Sequence, residues 1–140
     1  MSPRDQERMF PKDYACELLS IARGDLGSTR VLLRGFEAGE GRPENVFYSA
    51  QQVIEKCLKA VLCARGVPVP LVHDLGVLLG KLPEDTNPTF DYRLVQLTPF
   101  ATIRRYEEGR VVLDLDEAKD VLALAERVVT WAAGVVGVPG

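Results

Sequence analysis

The chain has 140 residues, the usual size of one domain and too few for two ordinary ones. Hydrophobic residues make up 46% and charged residues 26%, a globular composition that argues against disorder, and no apolar run approaches the roughly 20 residues of a membrane span. The net charge of -3 excludes a global positive field, so we expect no DNA partner and only local contacts with RNA.

The N-terminus and the cysteines point to a cytoplasmic protein without a metal. Residues 1–12 are polar and lack the apolar stretch of a secretory signal, so we expect a cytoplasmic location. The three cysteines are odd in number and form no C-x-x-C pair, and the chain has one histidine. We therefore expect no disulfide framework, metal or cofactor, and interpret Cys16, Cys57 and Cys63 as apolar core residues.

The first predicted helix runs from Pro11 to about Phe36. Its apolar residues recur at the three-to-four spacing of an amphipathic helix: Tyr14, Leu18, Ile21, Ala22, Leu26, Leu32, Leu33 and Phe36. Gly24 and Gly27 each cost roughly 1 kcal/mol relative to alanine inside a helix, so other contacts must hold this segment helical or it bends there. Residues 38–43 are predicted to form a loop, because they combine glycines, a proline and charges.

The second predicted helix, from about Glu44 to Arg65, has the clearest amphipathic pattern. Gly66 is predicted to end it as a left-handed C-terminal cap. Glu55 and Lys59 lie four residues apart, in the orientation that favours an ion pair. Two prolines, at positions 68 and 70, then force an extended connection.

The rest of the chain is predicted to be helical with loops between the helices. Asp74 can cap a short helix that ends near Leu82, and a further helical segment spans about 90–96. Asp114, followed three residues later by Glu117, resembles a capping box that starts a last helix ending near Val136. A strand at 111–113 would have no partner. We therefore predict a single all-α domain over 1–140, an antiparallel bundle of about four to five helices ordered over about 11–136.

Three motifs in a fixed order give the sequence a resemblance to a known family. They are the stretch from Ser49 to Ala60, then His73-Asp74-Leu75, then Arg105-Tyr106. Together they resemble the HEPN domain, over roughly Tyr14 to Val135. The resemblance implies an antiparallel helical bundle, commonly a homodimer. It also implies a minimal nucleotidyltransferase as partner, the two acting as toxin and antitoxin, and many members of the family are metal-independent RNases.

The RNase members carry an arginine and, after four to six intervening residues, a histidine. Metal-free cleavage of RNA needs a base for the 2'-hydroxyl proton and a cation for the phosphorane, which an imidazole and a guanidinium supply. Here Arg110 stands where that histidine would follow Arg105, and the one histidine, His73, lies on another segment. An RNase interpretation therefore needs His73 and Arg105 to meet through folding or across a dimer.

The segment 104–110 has two interpretations. Arg104, Arg105 and Arg110 could form a phosphate-binding edge, since guanidinium groups bind phosphate bidentately, or a solvated loop neutralised by its own two glutamates. Tyr106 could stack on a base or anchor the core.

His73 and Asp74 also have two interpretations. Asp74 could orient the imidazole of His73 in a pocket. Alternatively, Asp74 could cap its helix while His73 donates a hydrogen bond to a backbone carbonyl of the loop. For Glu55 and Lys59, an ion pair that stabilises the fold is a better interpretation than a catalytic pair.

Three functions remain open. The first is an interaction protein that binds a minimal nucleotidyltransferase and a nucleotide or RNA phosphate. The second is a metal-independent endoribonuclease with Arg105 and His73 as catalytic residues, and the third is a regulatory module that holds nucleotide phosphates with Lys56, Lys59 and Arg105. The candidate nucleotide-binding or RNA-binding residues are Lys56, Lys59, Arg104, Arg105, Tyr106 and Arg110, with Glu55 and Asp74 supporting them.

Overall fold

The computed structural model describes residues 6–88 and 114–138, and in that part the protein is an all-α bundle, as predicted. The long helices are α1 (Tyr14–Glu37), α2 (Pro43–Ala64) and α4 (Leu115–Val136). A short helix, α3 (Leu75–Gly80), and a 3₁₀ turn (Glu84–Thr86) lie between α2 and α4. The predicted segments 90–96, 104–110 and 111–113 lie outside the described residues.

Helix α2 is the centre of the packing. It contacts α1, α3 and α4, and α1 also contacts α4, so the long helices enclose one core. Its side chains at 46, 50, 53, 54, 57, 58, 60, 61 and 62 are all fully buried. Removing that much apolar surface from water is the main stabilising term of such a bundle.

The ends of the helices follow their local sequence. Pro43 begins α2, where its missing N–H costs nothing, and Gly66 follows the end of α2 at a φ of 70°, as predicted. Asp114 caps α4 through a bond from the Glu117 backbone N–H to its Oδ1 at 2.8 Å. Gly137 ends α4 in the left-handed region. The helix that Asp74 caps ends at Gly80 rather than near Leu82.

Helix α1 runs through Gly24 and Gly27 without a break. Leu19, Ala22 and Leu26 on its inner face are buried, and this packing offsets the cost of the glycines. Outside the adjacent backbone of α1, a Cβ at either glycine would meet no atom of the described residues within 4 Å. The packing of this described part of the chain therefore does not require glycine at the two positions.

A small antiparallel pairing was not predicted. Strand β1 (Glu7–Arg8) pairs with β2 (Val69–Pro70), with Glu7 opposite Pro70 and Arg8 opposite Val69. The backbone N–H of Leu71 extends the pairing by donating to the Gln6 carbonyl at 3.0 Å. The segment before α1 is thereby attached to the connection after α2.

The described residues contain no helix that combines the length and the apolar character needed to cross a bilayer.

The prediction that all three cysteines are core residues is wrong for Cys16. Cys57 and Cys63 are buried, at 0% and 1% exposure, but Cys16 is exposed on α1. Its neighbour Ala15 occupies the buried position of that turn, with Leu19 one turn later. Helical spacing therefore turns Cys16 towards solvent, although cysteine is usually an interior residue.

Iodoacetamide should modify Cys16 quickly and leave Cys57 and Cys63 intact in the folded protein. Burial raises the pKa of the Cys57 thiol to about 12, against an opposing effect of the Arg23 charge, and burial also raises the pKa of Cys63. Since the thiolate is the nucleophile, a thiol whose pKa lies above the solution pH reacts slowly. Peptide mass spectrometry over time, with and without denaturant, measures this order. Equal rates at Cys16 and Cys57 without denaturant would contradict it.

Candidate functional site

The candidate site is built around the carboxylate of Glu55 on α2. Its side chain is 12% exposed, and Lys59, one turn later, is 17% exposed. The Lys59 Nζ donates to Glu55 Oε2 at 3.1 Å, so the ion pair predicted from the spacing is confirmed. Because both groups are largely shielded from water, their attraction is screened less than that of a surface pair.

The second oxygen of Glu55 holds His73. The imidazole Nδ1 lies 2.9 Å from Glu55 Oε1, and the His73 side chain is 82% exposed. An ionised carboxylate only accepts hydrogen bonds, so this contact places a proton on Nδ1. When the ring is neutral, Nε2 is therefore an acceptor that can take a proton from a ligand.

We call Glu55, Lys59 and His73 the Glu55 cluster. It brings together two residues of one helix and one residue of the connection after β2. The carboxylate fixes the positions of an ammonium group and an imidazole, two groups that bind phosphate oxygens. An imidazole oriented by a carboxylate is also the arrangement used in general acid–base chemistry.

Asp74, next to His73, does not orient the His73 imidazole but caps a helix. Its Oδ1 accepts hydrogen bonds from the backbone N–H groups of Gly76 at 2.8 Å and Val77 at 3.3 Å. It is therefore the N-cap of α3, and the carboxylate that contacts His73 is Glu55. The fully buried Leu75 anchors the same end of α3 in the core.

The β1–β2 pairing positions the connection that carries His73. Strand β2 ends at Pro70, three residues before His73, and is paired along its length with β1. The Lys81 Nζ lies 3.3 Å from Glu7 Oε1, so β1 is also attached to the end of α3. The His73 segment is thus held from both sides.

Lys56 does not join the Glu55 cluster. Its Nζ forms an ion pair with Asp25 of α1, both side chains being between a quarter and a third exposed. The Asp25 carbonyl accepts a bond from the Thr29 hydroxyl at 2.8 Å, and that hydroxyl lies 2.6 Å from Ser49 Oγ. Lys56 thus belongs to a polar network between α1 and α2. A nucleotide site that relies on Lys56 beside Lys59 is less well supported as a result.

Gln51 is a polar residue of this helix face that the sequence did not single out. It lies one turn before Glu55 and is 4% exposed, and its Nε2 has no hydrogen-bond partner among the described residues. A buried amide without a hydrogen bond lowers the stability of the folded state, and such groups are rare in proteins. Its position beside a candidate site therefore calls for an explanation. The sequence motif contained Gln51, but nothing in the spacing marked it as buried.

The remaining candidate residues, Arg104, Arg105, Tyr106 and Arg110, lie outside the described residues. Their position relative to His73 therefore stays a prediction. Over the described ranges, no three His, Cys, Asp or Glu side chains lie close enough together to hold a metal ion.

Comparison with known proteins identifies the family. The family model of the HEPN domain matches residues 15–135. No curated protein and no solved structure gives a significant match. The matched range extends from the first turn of α1 to the last turn of α4 and includes the Glu55 cluster. The chain therefore belongs to the HEPN domain family.

Proposed function

We propose that this HEPN domain is an interaction protein, the partner of a minimal nucleotidyltransferase in a toxin and antitoxin pair of the cytoplasm. The Glu55 cluster binds the phosphate of a nucleotide or of RNA. The observation that carries the phosphate-binding part of the proposal is the carboxylate of Glu55, which binds both the shielded Lys59 ammonium and the exposed His73 imidazole. Arg104, Arg105, Tyr106 and Arg110 supply further contacts in this proposal.

The cluster suits binding because its groups are already in position. Lys59 and His73 do not have to be ordered when a ligand arrives, so less conformational entropy is lost on binding. His73 is 82% exposed, and its Nε2 edge is not used by the bond to Glu55. A protonated ring therefore presents a second N–H to a phosphate oxygen beside the Lys59 ammonium.

A homodimer is part of the proposal. Two large apolar side chains of α1 are well exposed, Ile21 at 45% and Val31 at 57%. Between them lie Gly24 and Gly27, where the absence of a Cβ leaves room for a close approach. A second copy of the chain would cover this face. Light scattering of the purified protein distinguishes a dimer from a monomer.

A metal-independent endoribonuclease is the second candidate. It is favoured by the Nδ1 contact of His73 with Glu55, which leaves Nε2 to act as a base or acid. Arg105 would stabilise the charge of the phosphorane. The sequence counts against it, because Arg110 stands where the family's RNases have their histidine.

One assay separates binding from cleavage. The wild type should bind a labelled single-stranded RNA in the presence of a chelator, as measured by fluorescence anisotropy, and leave it intact on a gel. Lys59→Ala should weaken binding about tenfold, the loss of roughly one charged hydrogen bond. Lys12→Ala, which removes an exposed lysine before α1 that is outside the Glu55 cluster, is the control and should bind normally.

If the wild type cleaves the RNA and both His73→Ala and Arg105→Ala lose this cleavage, the endoribonuclease is the correct function and the binding function is wrong. If the wild type neither binds nor cleaves RNA or common nucleotides, the phosphate-binding part of the proposal is wrong.

A further inference from the structure

A cavity lies where the chain passes from β1 into α1, and the Glu55 cluster does not use it. It has a volume of about 370 Å³ and is lined by Arg8, Phe10, Pro11, Asp13, Tyr14 and Glu17. This volume is at the lower end of the range for small-molecule sites. The lining combines aromatic rings, a guanidinium group and two carboxylates, which together suit a planar ligand with both hydrogen-bond donors and acceptors.

The aromatic part of the lining is held in place by its own contacts. The rings of Phe10 and Tyr14 are stacked, with centroids 5.1 Å apart and planes at 18° to each other. The Arg8 guanidinium lies over the Phe10 ring, with its Cζ 4.9 Å from the ring centroid. Groups that are already ordered lose less conformational entropy when a ligand binds. Aromatic rings and guanidinium planes are also the surfaces on which nucleobases stack.

The charged groups of the cavity are not committed to ion pairs. Within residues 6–88 and 114–138, no ion pair includes Arg8, Asp13 or Glu17. Asp13 stands at the N-cap position of α1, yet its side chain accepts no capping hydrogen bond. Glu17 lies four residues later, on the same face of the helix. The cavity therefore offers two acceptor groups and one donor group to a ligand.

We propose that this cavity binds guanine, an inference that rests on the proposed binding of a nucleotide or RNA and adds recognition of a base. Guanine has two adjacent donors, N1–H and the N2 amino group, on one edge and two adjacent acceptors, O6 and N7, on another. The carboxylates of Asp13 and Glu17 accept from the donors, and Arg8 donates to O6 and N7. Tyr14 supplies the stacking surface.

The other three bases of RNA match these groups less well. Adenine, cytosine and uracil each place an acceptor directly beside a donor where guanine has two donors. A carboxylate is an acceptor only, so it is repelled by part of each of these edges. The carboxylates therefore select guanine.

The β1–β2 pairing keeps the cavity close to the Glu55 cluster. Arg8 is paired with Val69, and His73 follows Val69 by four residues. Paired strands lie about 5 Å apart and four residues span at most about 14 Å, so the backbones at Arg8 and His73 are within about 20 Å of each other. One short RNA can therefore contact both places.

The test is an NMR titration of the ¹⁵N-labelled chain with GMP, IMP and AMP. The three nucleotides carry the same phosphate and differ in the base, and IMP lacks only the N2 amino group of GMP. GMP should bind about tenfold more tightly than AMP, with IMP between them, and should shift the amides of residues 8–17. A uridine oligonucleotide with one central guanine is compared with the all-uridine one. A preference for the guanine-containing RNA assigns the site to RNA, and a preference for GMP alone assigns it to a free nucleotide.

A double variant isolates the carboxylates. Asp13→Asn with Glu17→Gln should lose most of the preference for GMP over AMP. Glu37→Gln with Asp120→Asn is the matched control, because it removes the same charge from exposed carboxylates outside the cavity and should keep the preference.

Two results would overturn the guanine site: equal binding of GMP and AMP by the wild type, or GMP shifts that leave out residues 8–17. Either result leaves the proposed phosphate binding standing, because all three nucleotides carry the phosphate. Failure of every nucleotide and both RNAs to bind would contradict the phosphate binding as well.

Discussion

Glu55→Ala should lower the free energy of unfolding by about 1–3 kcal/mol and weaken RNA binding by about tenfold or more. The carboxylate accepts hydrogen bonds from both Lys59 and His73. Its loss leaves the Lys59 ammonium, which is 17% exposed, without its counter-charge. His73 also loses the contact that orients its ring, so the two groups that we propose bind phosphate lose their fixed positions.

Glu55→Gln separates the charge of Glu55 from its shape. The amide keeps the size of the side chain and one acceptor oxygen, so its effects on stability and on RNA binding should be smaller than those of Glu55→Ala. Glu40→Gln in the exposed loop between α1 and α2 is the control. Denaturant unfolding and fluorescence anisotropy measure the two quantities. An unchanged RNA affinity in Glu55→Ala would show that the cluster does not bind the ligand.

Gln51→Met should raise the free energy of unfolding by about 1–3 kcal/mol. Within residues 6–88 and 114–138, the buried Nε2 of Gln51 has no hydrogen-bond partner, so its desolvation lowers the stability of the folded state. Methionine has a similar volume and no such cost, and it fills irregular space well.

Gln52→Met is the matched control, because Gln52 is the exposed neighbour on the same helix. Its effect should stay within about 0.5 kcal/mol. Urea unfolding of both variants gives the comparison. A loss of stability in Gln51→Met would mean that the amide of Gln51 is hydrogen-bonded in solution.

Local patterns predicted most of the helical fold. The ion pair of Glu55 with Lys59 depends only on their spacing along one helix, and the ends of α2 depend on Pro43 and Gly66. Each of these features is decided by residues a few positions apart. For this reason the sequence was sufficient to predict them.

The contact between Glu55 and His73 could not be predicted in the same way. The two residues are 18 positions apart, and their approach depends on the path of the chain after α2. That path is held by β1 and β2, which are two residues each and too short to leave a periodic pattern. Sequence proximity instead suggested Asp74 as one possible partner of His73, although Asp74 caps α3.

Burial was also hard to predict for polar and amphiphilic residues. Gln51 is buried because of its place on α2, although a glutamine in a helix is usually exposed. Cys16 shows the reverse, since its position beside the buried Ala15 outweighs the preference of cysteine for the interior. In both cases the tertiary contacts of the helix decide the outcome, and residue type does not.

The most direct test of the proposed function is co-purification of the tagged chain with the minimal nucleotidyltransferase that we propose as its partner. Size-exclusion chromatography with light scattering should show one complex of fixed stoichiometry, stable to dilution into the micromolar range. Two proteins that elute independently, at masses equal to those of each alone, would contradict the assignment of this HEPN domain as an interaction protein.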